Sequence, residues 1–242
     1  MSVTTYNSPN IEGLAERVSA IRDRVSKAGG ESVKLIAVTK TFDATALTSA
    51  FAFGCDAVGE NYAQELVTKF EQVPEAQRLP VHFIGRLQSN KIRSLVNCVD
   101  VWQSVDRLSL IDEIAKRCET VSRVGSAQIM LQVNSTNEPD KGGCEPDDVE
   151  SLMARALSLG LDVVGLMTVG PTNSDAPETR KAFRSVSRIA HNLGLSELSM
   201  GMTGILKLRS KKGQLWCESG LGCLAQGFKS RYLVPFWGRF GN

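Results

Sequence analysis

Short apolar segments alternate with longer amphipathic segments along most of this chain of 242 residues. Several of the apolar segments are bounded by Gly, Asp or Ser, a pattern typical of buried strands. Seven strands are predicted before residue 200, at Val33–Val38, Asp56–Val58, Val81–Ile84, Val99–Gln103, Gln128–Val133, Asp162–Met167 and Glu197–Ser199.

The segments between the strands carry apolar residues three and four positions apart, which predicts amphipathic helices. Gly54, Gly160 and Gly194 are suited to end three of these helices. The predicted helices are Ile11–Lys27, Ala44–Phe53, Tyr62–Phe70, Leu108–Cys118, Pro146–Leu159 and Pro177–Leu193. Because parallel neighbours need a crossover helix, this alternation predicts a parallel sheet. Seven strands in this length favour a single α/β domain, a (β/α)8 TIM-like barrel, over an open doubly wound sheet.

The composition is close to that of an average soluble globular protein, with 42% apolar and 22% charged residues. No stretch approaches the roughly 18 consecutive apolar residues of a membrane span, and the first residues lack the basic and apolar parts of a secretion signal. We therefore expect a cytoplasmic protein without a membrane partner. The net charge of +2 is too small to indicate a nucleic-acid partner.

The six cysteines contain no C-x-x-C pair, and the chain has only two histidines. A zinc site and a disulfide framework are therefore not expected. We interpret the cysteines as reduced thiols and predict no metal site.

Polar residues collect where the predicted strands end, which is where barrels of this type carry their chemistry. The loops there are rich in Gly, Ser, Thr and Asn, a composition suited to binding an anion through backbone N–H groups. Lys40 ends the first strand, where partial desolvation would favour its free amine, the form that condenses with a carbonyl. Its position alone is more often that of a solvated lysine at a strand end.

Three further residues each have two interpretations. Lys91 is a second candidate for the reactive lysine beside Lys40, although its surroundings are typical of the first turn of an exposed helix. His82 lies inside an apolar strand and is either a core histidine or a functional one. Asn61 either caps a helix or contacts a ligand.

Four segments resemble a known family, and this resemblance favours a functional role for Lys40 over a merely solvated lysine. They are K-L-I-A-V-T-K (34–40), G-E-N-Y-A-Q-E-L (59–66), H-F-I-G-R-L-Q-S-N-K (82–91) and L-S-M-G-M-T (198–203). In this order and at this spacing, they resemble the pyridoxal phosphate homeostasis proteins of the YggS type, single-domain relatives of the alanine racemase barrel. The resemblance covers residues 10–204.

The resemblance implies a (β/α)8 barrel that holds pyridoxal 5′-phosphate (PLP) as a covalent imine on Lys40. The other cofactor-binding candidates, of which the last four are expected at the phosphate, are Asn61, His82, Ser199, Gly201, Met202 and Thr203. The family resembles a carrier or buffer that regulates intracellular PLP and amino-acid homeostasis, so we predict no catalytic residue. PLP-dependent apoenzymes are the expected partners, and a monomer or weak dimer is the expected state.

The resemblance ends abruptly after Gly204. Family members continue with an acidic helix, a strand M-V-R-V-G and a loop T-A-L-F-G-A-R, whereas residues 205–242 here carry two of the three Trp and many basic residues. Reading this tail shifted by one base, with permitted synonymous codons, restores the family ending. We interpret residues 1–204 as the PLP-binding barrel and residues 205–242 as an out-of-frame tail, with genuine divergence as the alternative.

The altered tail bears on both the cofactor and the barrel. The restored reading places an arginine at Glu218, and by resemblance this arginine faces the pyridine nitrogen of PLP, so the reversed charge should weaken PLP binding. The missing strand is the eighth. We therefore expect an open barrel with two unpaired edges, unless Gln214–Glu218 forms a substitute strand.

Two other functions stay open from the sequence. One is a PLP-dependent amino-acid racemase or lyase; racemisation needs acid–base groups on both faces of the cofactor. Alanine racemases, by resemblance, supply one face from a second domain that this chain lacks the length to encode. The other is a cofactor-free, defective barrel.

Overall fold

The computed structural model describes residues 6, 8–27, 33–136, 138, 141–171, 176–202 and 214–220. Eight parallel strands form a closed barrel, in which each strand pairs with the next and the last pairs with the first. The strands are β1 (Lys34–Val38), β2 (Ala57–Glu60), β3 (Val81–Phe83), β4 (Val101–Val105), β5 (Gln128–Gln132), β6 (Asp162–Thr168), β7 (Glu197–Met202) and β8 (Gln214–Gly220). The predicted TIM-like barrel is confirmed.

Helices alternate with the strands and pack against the outer core. They are α1 (Leu14–Lys27), α2 (Thr45–Ala52), α3 (Ala63–Gln72), α4 (Ser89–Leu95), α5 (Leu108–Thr120), α6 (Val149–Ser158) and α7 (Ala176–Asn192). Gly54, Gly160 and Gly194 take φ values of +72°, +74° and +70° just beyond α2, α6 and α7. They therefore end these helices as predicted, because this left-handed conformation favours glycine. None of the helices in the described part of the chain is long and apolar enough to cross a membrane.

The apolar core has two parts. The larger part contains Leu35 and Ala37 of β1 together with the buried faces of the helices. The smaller part is a separate cluster formed by Ile36, Ala57, Val101, Met130 and Met167. Because Ile36 alternates with its two neighbours along β1, the smaller cluster fills the barrel interior. The barrel is thus packed with side chains, which leaves the carboxyl ends of the strands for binding.

Residues beyond Gly204 close the barrel. The backbone of Glu218 lies opposite Ile36 of β1 on one side and opposite Met202 of β7 on the other. The expectation of two unpaired edges is therefore wrong, and the alternative, a substitute strand at Gln214–Glu218, is confirmed and extends to Gly220. Strand pairing uses backbone N–H and C=O groups that every residue except proline supplies, so this segment can pair without side chains selected for the position. Residues 205–213 and 221–242 lie outside the described residues.

Candidate functional site

Lys40 lies two residues beyond the end of β1, at the carboxyl-terminal mouth of the barrel. Thr39 is fully buried, whereas Lys40 is exposed. Within the described residues, the amine of Lys40 takes part in no hydrogen bond or ion pair. The partial desolvation expected from the sequence is therefore not found, because the chain turns away from the sheet at this residue.

Three other lysines near the barrel differ from Lys40 in their surroundings. Lys34 of β1 forms an ion pair with Glu197 at 3.5 Å. Lys69 of α3 is buried and bonded to several oxygens. Lys91 is exposed on α4, which confirms the helix predicted there. Of these four lysines, Lys40 alone combines an accessible amine with a position just beyond the carboxyl end of a strand.

A buried charged cluster adjoins Lys40. It consists of Glu60 at the end of β2 and of Glu65 and Lys69 on α3, all three between 0% and 3% exposed. Nζ of Lys69 donates to Oε1 of Glu60 at 2.9 Å, to the carbonyl oxygen of Thr39 at 2.7 Å and to Oε1 of Glu65. Oγ1 of Thr39 donates to the same oxygen of Glu60 at 2.7 Å. The ammonium thus uses all three of its hydrogens inside the protein.

Two carboxyl groups share one ammonium in this cluster. Burial raises the pKa of Glu60, and the adjacent charge of Lys69 opposes that rise. Oε2 of Glu60 is buried and has no hydrogen-bond partner in the described structure. Groups desolvated in this way are costly to a fold and concentrate at functional sites.

This cluster is not predicted by the sequence. Glu65 and Lys69 are spaced i, i+4 on one helix, a pattern normally typical of a solvent-exposed ion pair. The sequence predicts Glu60 in the loop after the second strand, whereas β2 continues to this residue. The segment G-E-N-Y-A-Q-E contains both glutamates, and it was the one available signal.

Asn61 follows β2 beside Lys40. Val38 lies opposite Gly59 in the sheet, so Lys40 and Asn61 both lie two residues beyond that pair. Oδ1 of Asn61 is buried and has no hydrogen-bond partner among the described residues. Gly85 permits the next loop to approach closely, since a Cβ there would lie 2.1 Å from the carbonyl oxygen of Asn61. No side chain caps the start of α3, so the interpretation of Asn61 as a helix cap is wrong.

His82 lies inside the barrel on β3 and is fully buried. It pairs across the sheet with Val101, a member of the interior cluster. Nε2 of Gln103 donates to Nδ1 of His82 at 2.6 Å. Burial, together with the charge of Lys34, lowers the pKa of His82 to about 3. These contacts agree with a core histidine that is neutral at pH 7, and a role in cofactor binding stays a prediction.

Acid is expected to destabilise the protein through His82. An unfolded histidine has a pKa of about 6.5, whereas the pKa of folded His82 is about 3. Below pH 6.5 the unfolded chain binds a proton that the folded chain does not, so stability falls by about 1.4 kcal/mol per pH unit. Between roughly pH 6.5 and pH 5, the wild type should therefore lose about 2 kcal/mol more of its free energy of unfolding than His82→Gln. Urea unfolding at the two pH values measures this difference. Equal losses in both proteins would contradict this assignment.

The last matching segment lies on β7. The sequence predicts the strand end at Ser199, but β7 continues through Gly201 and Met202. The predicted loop position of these two residues is therefore wrong, because pairing with Glu218 of β8 extends the strand. Ser199 is buried near the carboxyl end of β7. Thr203 lies outside the described residues, and its place at a phosphate stays a prediction.

Four cysteines of the described chain are buried and unpaired, at Cys55, Cys98, Cys118 and Cys144. Burial raises the pKa of Cys55 to about 11 and that of Cys98 to about 12. Thiols of this kind are weak nucleophiles at neutral pH. They therefore do not compete with the accessible amine of Lys40.

Comparison with known proteins relates these features to a family. No family model matches the chain. The pyridoxal phosphate homeostasis protein of Aquifex aeolicus is 33% identical over 211 aligned residues, which cover 82% of this chain and 91% of that protein. This chain belongs to the pyridoxal phosphate homeostasis protein family. The resemblance inferred from four segments is confirmed.

Solved structures agree with this membership of the homeostasis protein family. PipY of Synechococcus elongatus PCC7942, solved without PLP, is 32% identical and has a TM-score of 0.76, covering 86% of this chain and 97% of PipY. A second PipY structure, with PLP bound, has a TM-score of 0.74. Alanine racemase of Clostridium difficile 630 shares the fold alone, with a TM-score of 0.70 at 14% identity over 97% of this chain and 63% of the racemase.

Proposed function

We propose that this protein binds PLP as a reversible imine on Lys40 and thereby buffers or carries the cofactor. The observation that carries the proposal is the exposed amine of Lys40 at the carboxyl end of β1, without a partner in the described chain. The name of the Aquifex relative and the presence of PLP in one PipY structure support it. PLP-dependent apoenzymes are the proposed recipients.

An imine accounts for both holding and releasing the cofactor. The unprotonated amine nitrogen of Lys40 adds to the aldehyde carbon of PLP, a C=N double bond replaces the C=O bond, and the aldehyde oxygen leaves as water with the two hydrogens of the amine. Addition of water reverses the step, so no oxidant, reductant or further reactant is consumed. A covalent link that hydrolyses suits a buffer.

Other residues at the barrel mouth fit the same ligand. Oδ1 of Asn61 is a buried acceptor that lacks a donor within the described residues. Ser199, Gly201 and Met202 lie toward the carboxyl end of β7, and barrels of this fold frequently bind phosphate at the ends of their last two strands. We therefore propose Asn61 as a contact of the cofactor and these β7 residues as the part of the site nearest the phosphate.

A role as a dedicated enzyme is less well supported by the site. Racemisation needs acid–base groups on both faces of the cofactor, whereas Glu60 and Glu65 beside Lys40 are buried and bonded to Lys69. In assays with D- and L-amino acids and added PLP, we expect no turnover above that of free PLP. Turnover at about 1 s⁻¹ or faster, within the range of ordinary enzymes, would contradict the proposed role as a PLP buffer and would favour a racemase or lyase.

Titration of the purified, PLP-free protein with PLP tests the proposal. After desalting, we expect a visible absorbance band that saturates at one PLP per chain. Borohydride should remove this band and leave the cofactor attached even to the denatured chain, because reduction converts the C=N bond into a stable single bond. A protein that retains no PLP after desalting, with or without reduction, would overturn the proposal and favour the cofactor-free barrel.

The charge at Glu218 provides a prediction about the tail. The residue lies between Ile36 of β1 and Met202 of β7 in the barrel, and so between the two strands that lead to the proposed site. Glu218→Arg should tighten PLP binding by about tenfold to a hundredfold, the contribution of one charge-assisted hydrogen bond. Glu71→Arg, at an exposed position of α3, is the control and should leave the affinity unchanged. An unaltered affinity in Glu218→Arg would contradict the assignment.

We also propose that the tail after Gly204 is read out of frame. A chain with the restored frame should then have a higher Tm and retain more PLP than this one, because its last strand and loop would match the family ending. Equal Tm and equal PLP content would contradict that expectation. Sequencing the gene tests the frame itself, since codons that cannot yield the restored reading exclude it.

A further inference from the structure

We propose that the cluster of Glu60, Glu65 and Lys69 positions Lys40 by fixing the backbone on both sides of it. The three are positioning residues, since they act through the two neighbours of Lys40. The inference rests on the imine function proposed above, and it adds that these three residues determine the position of the amine.

The residue before Lys40 is anchored by its backbone and its side chain. The carbonyl oxygen of Thr39 accepts from Nζ of Lys69 at 2.7 Å, and Oγ1 of Thr39 donates to Oε1 of Glu60 at 2.7 Å. Its N–H donates to the carbonyl oxygen of Gly59 at 3.0 Å. Thr39 is 0% exposed. The chain is therefore fixed one residue before the amine.

The residue after Lys40 is held by the same cluster. The N–H of Thr41 donates to Oε1 of Glu65. Thr41 has a φ of +69°, a left-handed conformation that is costly for a β-branched residue. The N–H of Phe42 donates to the carbonyl oxygen of Thr39 at 3.3 Å, which closes a four-residue turn with Lys40 and Thr41 at its centre. A positive φ at the third position of such a turn normally calls for glycine.

A purely structural role explains these features poorly. A buried ion pair adds little net stability, and apolar residues of similar volume often stabilise a core as well or better. Backbone strain such as that of Thr41 persists only where the surroundings enforce it, commonly at functional sites. The buried ion pair and the strained backbone both occur at the turn that carries Lys40. The side chain of Lys40 has no hydrogen bond or ion pair of its own in the described chain, so the turn is what places its amine.

Two variants and one control separate positioning from stability. The double variant Lys69→Met with Glu65→Gln removes both charges of the i, i+4 pair. Thr41→Gly keeps every described bond of the cluster and lets the turn move, because glycine adopts many backbone conformations. The control Leu110→Ala, at a fully buried position of α5, lowers stability without altering β1, β2 or α3.

The first readout needs no cofactor. Hydrogen exchange at the Thr41 amide in the PLP-free protein should be about tenfold or more faster in the double variant, because its acceptor is no longer held in place. The second readout is the rate of imine formation with PLP. It should be about tenfold or more slower in the double variant and in Thr41→Gly, and unchanged in Leu110→Ala. Thr41→Gly should keep a Tm at least equal to that of the wild type, because its strain is relieved.

The outcomes distinguish this inference from the proposed function. Wild-type rates in both variants overturn the positioning role and leave the imine function intact. If the double variant does not fold, Thr41→Gly decides: a slower rate at an undiminished Tm supports the role, and a wild-type rate overturns it. A slowed Leu110→Ala also overturns it, because lost stability would then explain the effect. Absence of any imine in the wild-type protein overturns the proposed function, and the positioning role with it.

Discussion

Replacing Lys40 with alanine is expected to abolish covalent binding of PLP while leaving the protein folded. The side chain is exposed and has no hydrogen-bond or ion-pair partner in the described chain. Its loss should therefore change the free energy of unfolding by less than about 0.5 kcal/mol. The amine to which we assign the imine is gone, so PLP absorbance after desalting should fall to the level of untreated protein.

Lys91→Ala is the matched control for this experiment. Lys91 is also exposed, lies on α4 and belongs to a segment that resembles the family. The sequence leaves it as a competitor of Lys40, and we expect its alanine variant to retain PLP like the wild type. Retention in Lys40→Ala together with loss in Lys91→Ala would show that the imine is assigned to the wrong lysine.

Replacing Lys69 with methionine is expected to lower the free energy of unfolding by about 3–5 kcal/mol. Methionine fills a similar volume, so packing changes little. Glu60 and Glu65, however, lose the ammonium that they share in a fully buried environment, and the carbonyl oxygen of Thr39 loses a donor. Urea unfolding with linear extrapolation measures the difference.

Lys116→Met provides the comparison at an exposed position of α5. It should change the free energy of unfolding by less than about 0.5 kcal/mol, as surface substitutions usually do. The loss of unfolding free energy in Lys69→Met should be smaller at acidic pH, because protonation removes the charge from the carboxylates left without a cation. If Lys69→Met loses no more unfolding free energy than Lys116→Met, the cluster does not hold buried charges.

Much of the barrel follows from local pattern. The strand Asp162–Met167 and the helix Leu108–Cys118 were predictable because apolar periodicity reflects burial on one or both faces. The glycine after α6 was predictable because few other residues tolerate a left-handed φ at a helix end. Lys40 was singled out by its position after the first strand and by the segment K-L-I-A-V-T-K, which the family resemblance explains.

The rest depends on contacts between distant parts of the chain. Nothing in the spacing of Glu65 and Lys69 distinguishes a buried ion pair from an exposed one, since the tertiary fold decides what covers that helix face. The closure of the barrel by Gln214–Gly220 depends on backbone pairing with β1 and β7, which side-chain patterns describe poorly. The exposure of Lys40 depends on the turn at Thr41, whose positive φ runs against the preference of threonine.

Peptide mass analysis after borohydride reduction tests the central claim most directly. The protein is mixed with PLP, reduced, digested and searched for a phosphopyridoxyl group on each lysine. Our account predicts the added mass on the peptide that contains Lys40, with Lys34, Lys69 and Lys91 unmodified. Modification of another lysine in place of Lys40, or no modification of any lysine, would contradict it.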